Sequence, residues 1–303
     1  MDPHAPSSWH LLFPLLSSLL FVFGATFAKQ SALRGTSSYT NTALSNLTLA
    51  VFWAGVGLVR GDALPMTAWA PAAAIAFAFV LGQLCTYLAF QFGDVSLATP
   101  IFGVKIIIVA LLSVLVGEKA INTPIWIAAV LAAVGIGVVQ IGSGSSASHR
   151  LTTGRATLTV VLAVLAATAL SLFDIGLQHY GRIYGAARFL TVMFIFTGVI
   201  SCGLLPWTDS PARLVQIKAV GPLTVATLLM AAQAISISYS LGRFGDATRV
   251  NIVYSLRGLW SVLLAWLLGR LAVNPEGSLS RRTLLFRLTG AILLLISVIV
   301  ALL

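Results

Sequence analysis

Two basic residues, Lys105 and Arg257, lie deep inside long apolar runs of the chain. Each comes eight residues after the start of its run, 97–116 or 249–269, which is roughly 12 Å along a helix axis. A charge at that depth in a bilayer costs at least about 2.5–3.5 kcal/mol, so its side chain faces a cavity, a charged partner or a solute. A guanidinium can bind a carboxylate or phosphate through two hydrogen bonds, and an ammonium acts as a point charge. The two cations therefore predict a central site for an anionic solute.

One acidic residue, Asp174, lies inside a third apolar run, 156–180. It leaves two interpretations open: a structural ion pair, or an anion site in which Asp174 balances part of the positive charge. One acid cannot neutralise two cations, so we expect the second, with Asp174 serving charge balance or coupling. Two further acids, Asp94 and Asp246, lie at predicted helix ends and are expected to cap the helices that follow them.

Polar side chains at helical spacing accompany these charges and predict a lined cavity. Each of them alone could equally be an interhelical hydrogen bond, which is the common role of polar residues in membrane helices. Besides Lys105 and Arg257, the predicted substrate-binding residues are Gln83 and Tyr87 in run 67–91, Gln178 in run 156–180, Tyr239 in run 217–242 and Tyr254 in run 249–269.

The elements that must position these residues are membrane-spanning helices. Of the 303 residues, 58% are hydrophobic and 9% are charged, which leaves too little polar surface for a soluble globule. A span needs roughly 20 mostly apolar residues. Such runs predict an all-α membrane protein with ten transmembrane helices, near 10–28, 42–59, 67–91, 97–116, 124–141, 156–180, 188–206, 217–242, 249–269 and 284–303.

The chain also contains an internal repeat at an offset of 152 positions. The segment Phe92-Gly93-Asp94 matches Phe244-Gly245-Asp246, Tyr87 matches Tyr239, and Lys105 matches Arg257. A Gly/Ser-rich linker, 142–148, divides the chain into halves at 1–148 and 149–303. Five helices per half is an odd number, so the two halves are predicted to be inverted repeats.

Other functional classes find little support. The net charge of +10 is scattered singly between apolar runs, which argues against nucleic-acid binding. The sequence has no HExxH, GxSxG or P-loop motif, so we expect no enzyme and no cofactor. The two cysteines, Cys85 and Cys202, lack a zinc-ligand spacing and are expected to pack as small hydrophobic residues, so no metal site is predicted.

The two five-helix halves, with Phe-Gly-Asp helix ends leading to Gly117-Glu118 and Gly269-Arg270, resemble ten-helix members of the drug/metabolite transporter superfamily, of the EamA type. Lys105, Tyr239 and Arg257 are also similar in position to the residues with which triose-phosphate translocators hold phosphate. Those translocators carry adjacent Lys and Arg in the ninth helix, whereas Leu256 precedes Arg257 here. The resemblance implies an organic anion and leaves phosphate, carboxylate and amino-acid substrates open.

The sequence thus predicts a secondary transporter that moves a small organic solute, a phosphorylated or carboxylate metabolite, by alternating access. An exporter of amino acids or other amphipathic metabolites is one alternative, and a flippase or scramblase for a phosphorylated lipid is another. We expect a multi-pass protein of a bacterial inner (plasma) membrane, acting as a monomer or homodimer. Its expected partners are the lipid bilayer, the solute, and a counter-substrate or proton.

Overall fold

The computed structural model describes residues 8–61, 63–92, 103–116, 121–141, 153–261, 263–264 and 281–303. Within these ranges the regular structure is helical. The α-helices are Leu12–Leu33 (α1), Ser38–Arg60 (α2), Trp69–Phe92 (α3), Lys105–Leu115 (α4), Thr123–Ile141 (α5), Thr153–Tyr184 (α6), Ala186–Cys202 (α7), Pro211–Gln216 (α8), Val220–Phe244 (α9), Ala247–Tyr254 (α10) and Arg281–Leu302 (α11).

Six segments of the described chain are long and apolar enough to cross a membrane: Trp9–Leu33, Ser38–Arg60, Met66–Thr86, Thr157–Tyr184, Val220–Phe244 and Leu285–Leu302. A seventh results if α7 and the segment Leu205–Gln216, bent by 52°, form one span. The chain is therefore an all-helical, multi-pass membrane protein, as the composition predicts. The predicted count of ten is not reached among the described residues. Runs 97–116 and 249–269 lie partly outside them, run 188–206 is the bent segment, and run 124–141 forms the shorter apolar helix Thr123–Val139.

The run 249–269 is also interrupted where it is described. Helix α10 ends at Tyr254, and the next hydrogen bonds are short-range ones, from Leu256 N–H to Val253 O at 3.1 Å and from Gly258 N–H to Ser255 O at 2.9 Å. Such a tight turn within an apolar run changes the direction in which the following side chains point. The turn itself is Ser255-Leu256, and Arg257 is the first residue of the helical segment that follows it.

The connection between α9 and α10 is made by the Phe-Gly-Asp segment. Gly245 has a φ of +75° and Asp246 a φ of +59°, which reverses the chain without a longer loop. Asp246 then caps α10, since its carboxylate accepts a hydrogen bond from the Arg249 N–H at 3.4 Å. The predicted capping role of Asp246 is confirmed, and Asp94 lies outside the described residues.

Close approach of backbones holds several helices together. In a membrane, lipid replaces water around the helices, so small residues and van der Waals contact contribute much of the packing. Helices α5 and α11 show this clearly: a Cβ at Gly290 would lie 2.6 Å from the backbone nitrogen of Val139 and 2.8 Å from the carbonyl oxygen of Gly135. The main helix pairs in contact are α1 with α9, α3 with α6, α2 with α7, and α5 with α11.

Candidate functional site

Lys105 and Asp174 form an ion pair inside the helix bundle. The Lys105 ammonium, on the first residue of α4, lies 2.7 Å from the Asp174 carboxylate of α6. The two side chains are 15% and 3% exposed, respectively. The Ser171 hydroxyl, about one turn before Asp174, donates to the Lys105 carbonyl at 3.3 Å and so joins the start of α4 to the same face of α6. The charge of Lys105 is therefore compensated within the protein.

Asn251 completes this ion pair. Its side-chain amide donates to Asp174 Oδ2 at 2.7 Å and to the Ala247 carbonyl at 2.9 Å. A buried carboxylate is stabilised when several donors satisfy its lone pairs, and here an ammonium and an amide share one oxygen. Sequence reasoning missed Asn251. The available signal was its position three residues before Tyr254, on the same face of an apolar run.

Arg257 is held by aromatic rings. Its guanidinium carbon lies 4.9 Å from the centroid of the Phe21 ring and 4.6 Å from that of Tyr254. Among the residues that the structure describes, no carboxylate lies within 4.0 Å of this guanidinium. A cation over an aromatic face gains roughly 0.5–2 kcal/mol, depending on desolvation. Within the described part of the chain, Arg257 is therefore stabilised by aromatic rings and has no ion-pair partner.

The ring of Tyr254 is itself fixed by a polar network from α1 and α9. The Tyr254 hydroxyl donates to Gln233 Oε1 at 2.9 Å, and the Ser17 hydroxyl donates to the same oxygen at 2.9 Å. Phe21, Gln233 and Ser17 were not predicted. A single Phe or Ser in an apolar run carries no signal that it will face a cation.

Lys105 and Arg257 line one small cavity. It has a volume of about 20 Å³ and is lined by Lys105, Ile106, Ile136, Asn251, Tyr254, Ser255 and Arg257. A space of this size holds about one water molecule. The described helices therefore leave room for about one water molecule beside the two cations in this conformation.

The other predicted site residues lie elsewhere. Gln178 Oε1 accepts a hydrogen bond from the Ala247 N–H at 2.6 Å. This bond satisfies a backbone N–H at the start of α10, which has no partner within the helix. Gln83 Oε1 accepts from Asn46 at 3.0 Å, and Asn46 also donates to Ser201, so these three form a separate cluster of α2, α3 and α7. The side chain of Tyr87 lies outside the described residues. Of the predicted set, the structure brings together Lys105, Asp174, Tyr254 and Arg257.

Tyr239 lines a second, larger cavity, which we call the arginine vestibule. Its volume is about 630 Å³, and its lining includes Arg60 at the end of α2, Arg182 and Arg188 around the α6–α7 junction, and Arg243 near the end of α9. All four arginines are exposed. None of the described residues that line this cavity is acidic.

The opposite ends of the same helices are joined by a polar seal around Asp209, which follows α7. Its Oδ2 accepts from the Ser37 N–H at 2.6 Å and from the Thr40 hydroxyl at 2.9 Å, at the start of α2. Its Oδ1 pairs with Arg213 at 2.9 Å. The described parts of α2 and α7 therefore border a cavity at one end and are joined by the hydrogen bonds of Asp209 at the other.

Comparison with known proteins agrees with this architecture. A model of the EamA-like transporter family matches residues 8–141. A solved crystal structure of a protein is 16% identical in sequence and superimposes with a TM-score of 0.63, covering 95% of this chain and 96% of that chain. That likeness shows a shared fold along nearly the whole length. No curated protein matches the sequence with a significant score. The resemblance found in the sequence is confirmed for residues 8–141, which match the model of the EamA-like transporter family.

Proposed function

We propose that the protein is a secondary transporter that moves a small organic anion by alternating access, with Arg257 as the main contact to the anion. The observation that carries this proposal is the contrast between two cations of one cavity. Lys105 is paired with Asp174 at 2.7 Å, whereas Arg257 rests on the rings of Phe21 and Tyr254. The formal charge of these three ionisable side chains is +1, so one negative charge on a solute would neutralise the site.

The same arrangement bears on how the empty carrier returns. Two uncompensated cations in an empty, closed site would be costly and would favour obligatory exchange of one anion for another. The Asp174 carboxylate removes one of these charges, and the aromatic rings stabilise the other. Net transport is therefore favoured over strict exchange, with Asp174 as the group that offers coupling to a proton.

Alternating access needs two halves that move against each other, and the helix packing supports this part of the proposal. The offset of 152 positions relates α1 to α6, α2 to α7 and α3 to α9. The pair α1–α9 then corresponds to α6–α3, and the pair α2–α9 corresponds to α7–α3; all four pairs are in contact. Such an exchange of partners is expected of inverted repeats in residues 1–148 and 149–303.

The closed end around Asp209 and the arginine vestibule at the other end support one state of such a cycle. In this state a solute would reach the Arg257 cavity from the vestibule side after a small separation of helices. Opening of the Asp209 seal would belong to the other state.

The test uses purified protein in proteoliposomes. A thermal-shift screen of organophosphates, carboxylates and amino acids first selects a ligand, and uptake and counterflow of that ligand are then measured. We expect Arg257→Gln to lower uptake by about 30-fold or more, since loss of a desolvated charge contact costs about 2 kcal/mol or more. Arg257→Lys keeps the charge and should retain part of the activity. Lys29→Gln removes an exposed cation away from both cavities and serves as the matched control.

Full uptake by Arg257→Gln, with Lys29→Gln also unchanged, would overturn the assignment of Arg257. If uptake of soluble anions is absent in the wild type but a fluorescent phosphorylated lipid moves between leaflets, the protein is a lipid flippase or scramblase instead.

A further inference from the structure

Gln233 of α9 joins three helices beside the central cation. Its side-chain oxygen accepts hydrogen bonds from the Tyr254 hydroxyl of α10 and from the Ser17 hydroxyl of α1, both at 2.9 Å. The Ser17 hydroxyl also lies 2.9 Å from the backbone carbonyl of Gln233. Ser17 and Tyr254 are both buried. One amide oxygen therefore fixes α1 and α10 against α9.

The two rings that hold Arg257 belong to these same helices. Phe21 comes four residues after Ser17 on α1, which places both on one face of the helix. The rings of Phe21 and Tyr254 lie 6.0 Å apart at an interplanar angle of 78°, so they form a corner. The guanidinium carbon of Arg257 lies 4.9 Å from the centroid of one ring and 4.6 Å from that of the other. Since a cation is attracted to the face of a ring, the orientation of the two rings decides where the guanidinium points.

Both sides of this corner depend on Gln233. Its bond to the Tyr254 hydroxyl keeps that ring from turning out of the corner. Its bond to Ser17 holds α1 at the position that brings Phe21 against Arg257. A polar residue that only joins two membrane helices needs one partner on one neighbouring helix. Gln233 has partners on two helices, and each partner leads to a ring that contacts Arg257.

We infer that Gln233 is a positioning residue of the central site: through Tyr254 and Ser17 it sets the two rings that orient the Arg257 guanidinium. It acts through these rings and does not itself bind the solute. That the oriented guanidinium serves an anion rests on the proposed function. The effect of Gln233 on the position of Arg257 does not.

The position of the guanidinium is measured by its rate of modification with phenylglyoxal, a reagent for arginine side chains, followed by peptide mass spectrometry of the detergent-solubilised protein. The exposed Arg213 is the internal reference. We expect Gln233→Leu to raise the rate at Arg257, relative to Arg213, by about fivefold, as expected for the loss of one hydrogen bond. Tyr254→Phe keeps the ring and removes only the hydroxyl, so it should raise the rate by at least about twofold.

The double variant Gln233→Leu/Tyr254→Phe tests whether the two residues act together. It should react at the rate of Gln233→Leu alone, because the second change removes a bond that is already lost. The matched control is Thr224→Val on the same helix. Thr224 donates to the Val220 carbonyl of its own helix at 2.9 Å, so this variant should react like the wild type.

Equal rates at Arg257 in the wild type, Gln233→Leu and Tyr254→Phe would overturn the inference. A double variant whose factor is the product of the two single factors would also overturn it. A parallel rise at Arg257 and Arg213 would count against it as well, since that result reports a general loosening of the fold. If Gln233→Leu does not fold, Tyr254→Phe decides the question, because it leaves the ring in place.

Uptake in proteoliposomes connects this inference with the proposed function. With the anion that the thermal-shift screen selects, Gln233→Leu should raise KM about fivefold and leave the maximal rate within about twofold of the wild type. Loss of folded protein would lower the maximal rate instead. If Arg257→Gln lowers uptake while Gln233→Leu keeps the wild-type KM, the positioning role in transport fails and the proposed function stands. If Arg257→Gln retains full uptake, the proposed function fails, and the phenylglyoxal rates still decide whether Gln233 positions Arg257.

Discussion

The Lys105 ammonium and the Asp174 carboxylate lie 2.7 Å apart, between the first residue of α4 and the interior of α6. Breaking a buried pair by removing one partner costs about 3–5 kcal/mol, whereas replacing both with apolar residues is often neutral. We therefore expect Lys105→Met to lower the thermal stability strongly and Lys105→Met/Asp174→Leu to recover most of the loss. Scanning fluorimetry of the detergent-solubilised protein measures both. If the double variant loses as much thermal stability as the two single variants together, the ion pair does not couple α4 to α6.

Asp174 should govern coupling more than binding. In Asp174→Asn the carboxylate is lost while Asn251 and Arg257 remain, so the anion contact persists and the Lys105 charge loses its internal partner. We expect counterflow to stay within about threefold of the wild type. Net uptake should fall about tenfold, which corresponds to a change of about 1.4 kcal/mol in free energy.

The control for this prediction is Asp246→Asn, which changes an acid that caps α10 away from the Lys105 pair. Equal loss of counterflow and net uptake in Asp174→Asn would assign Asp174 to the binding site instead of to coupling.

Gly245 is required by the geometry of the α9–α10 connection. Its φ is +75°, and a Cβ at this position would overlap the guanidinium of Arg182. Gly245→Ala should therefore destabilise the protein by roughly 1–3 kcal/mol and displace a residue of the vestibule lining. Gly137→Ala is the matched control, because a Cβ there meets no atom within 4 Å and an alanine favours the helix. Unchanged stability in Gly245→Ala would contradict the argument from backbone conformation.

The seal around Asp209 should control which end of the bundle opens. Asp209→Asn removes the charge that accepts from Ser37 and Thr40, and hydrogen bonds to charged groups contribute about 1.5–3 kcal/mol each. With Thr36→Cys as a buried reporter beside Ser31, in a protein whose exposed Cys202 is replaced by Ser, we expect the rate of maleimide labelling to rise about tenfold. Lys218→Gln, an exposed change at the same end, should leave the rate unaltered. A rate that does not respond to Asp209→Asn would show that this end opens by another route.

Part of the candidate site could be predicted from residue types alone. Lys105, Arg257 and Asp174 stand out because a charge in an apolar run has few ways to be stabilised in a bilayer. Tyr254 was found because a residue three positions from Arg257 shares its helix face. The same rule placed Gln178 beside Asp174 on α6, yet Gln178 binds the N–H of Ala247. Local spacing gives the face of one helix and does not tell which neighbouring group that face will meet.

The sequence by itself determined that this is a multi-pass helical membrane protein, that residues 8–141 carry the EamA-like pattern, and that cations lie inside the apolar runs. Helix formation and membrane insertion depend on local composition and length, so a single sequence suffices for them. Only the tertiary structure decided that Asp174 pairs with Lys105, that Arg257 rests on Phe21 and Tyr254, and that four arginines share one cavity. These contacts join residues far apart in sequence, and they depend on the rotation and packing of whole helices against one another.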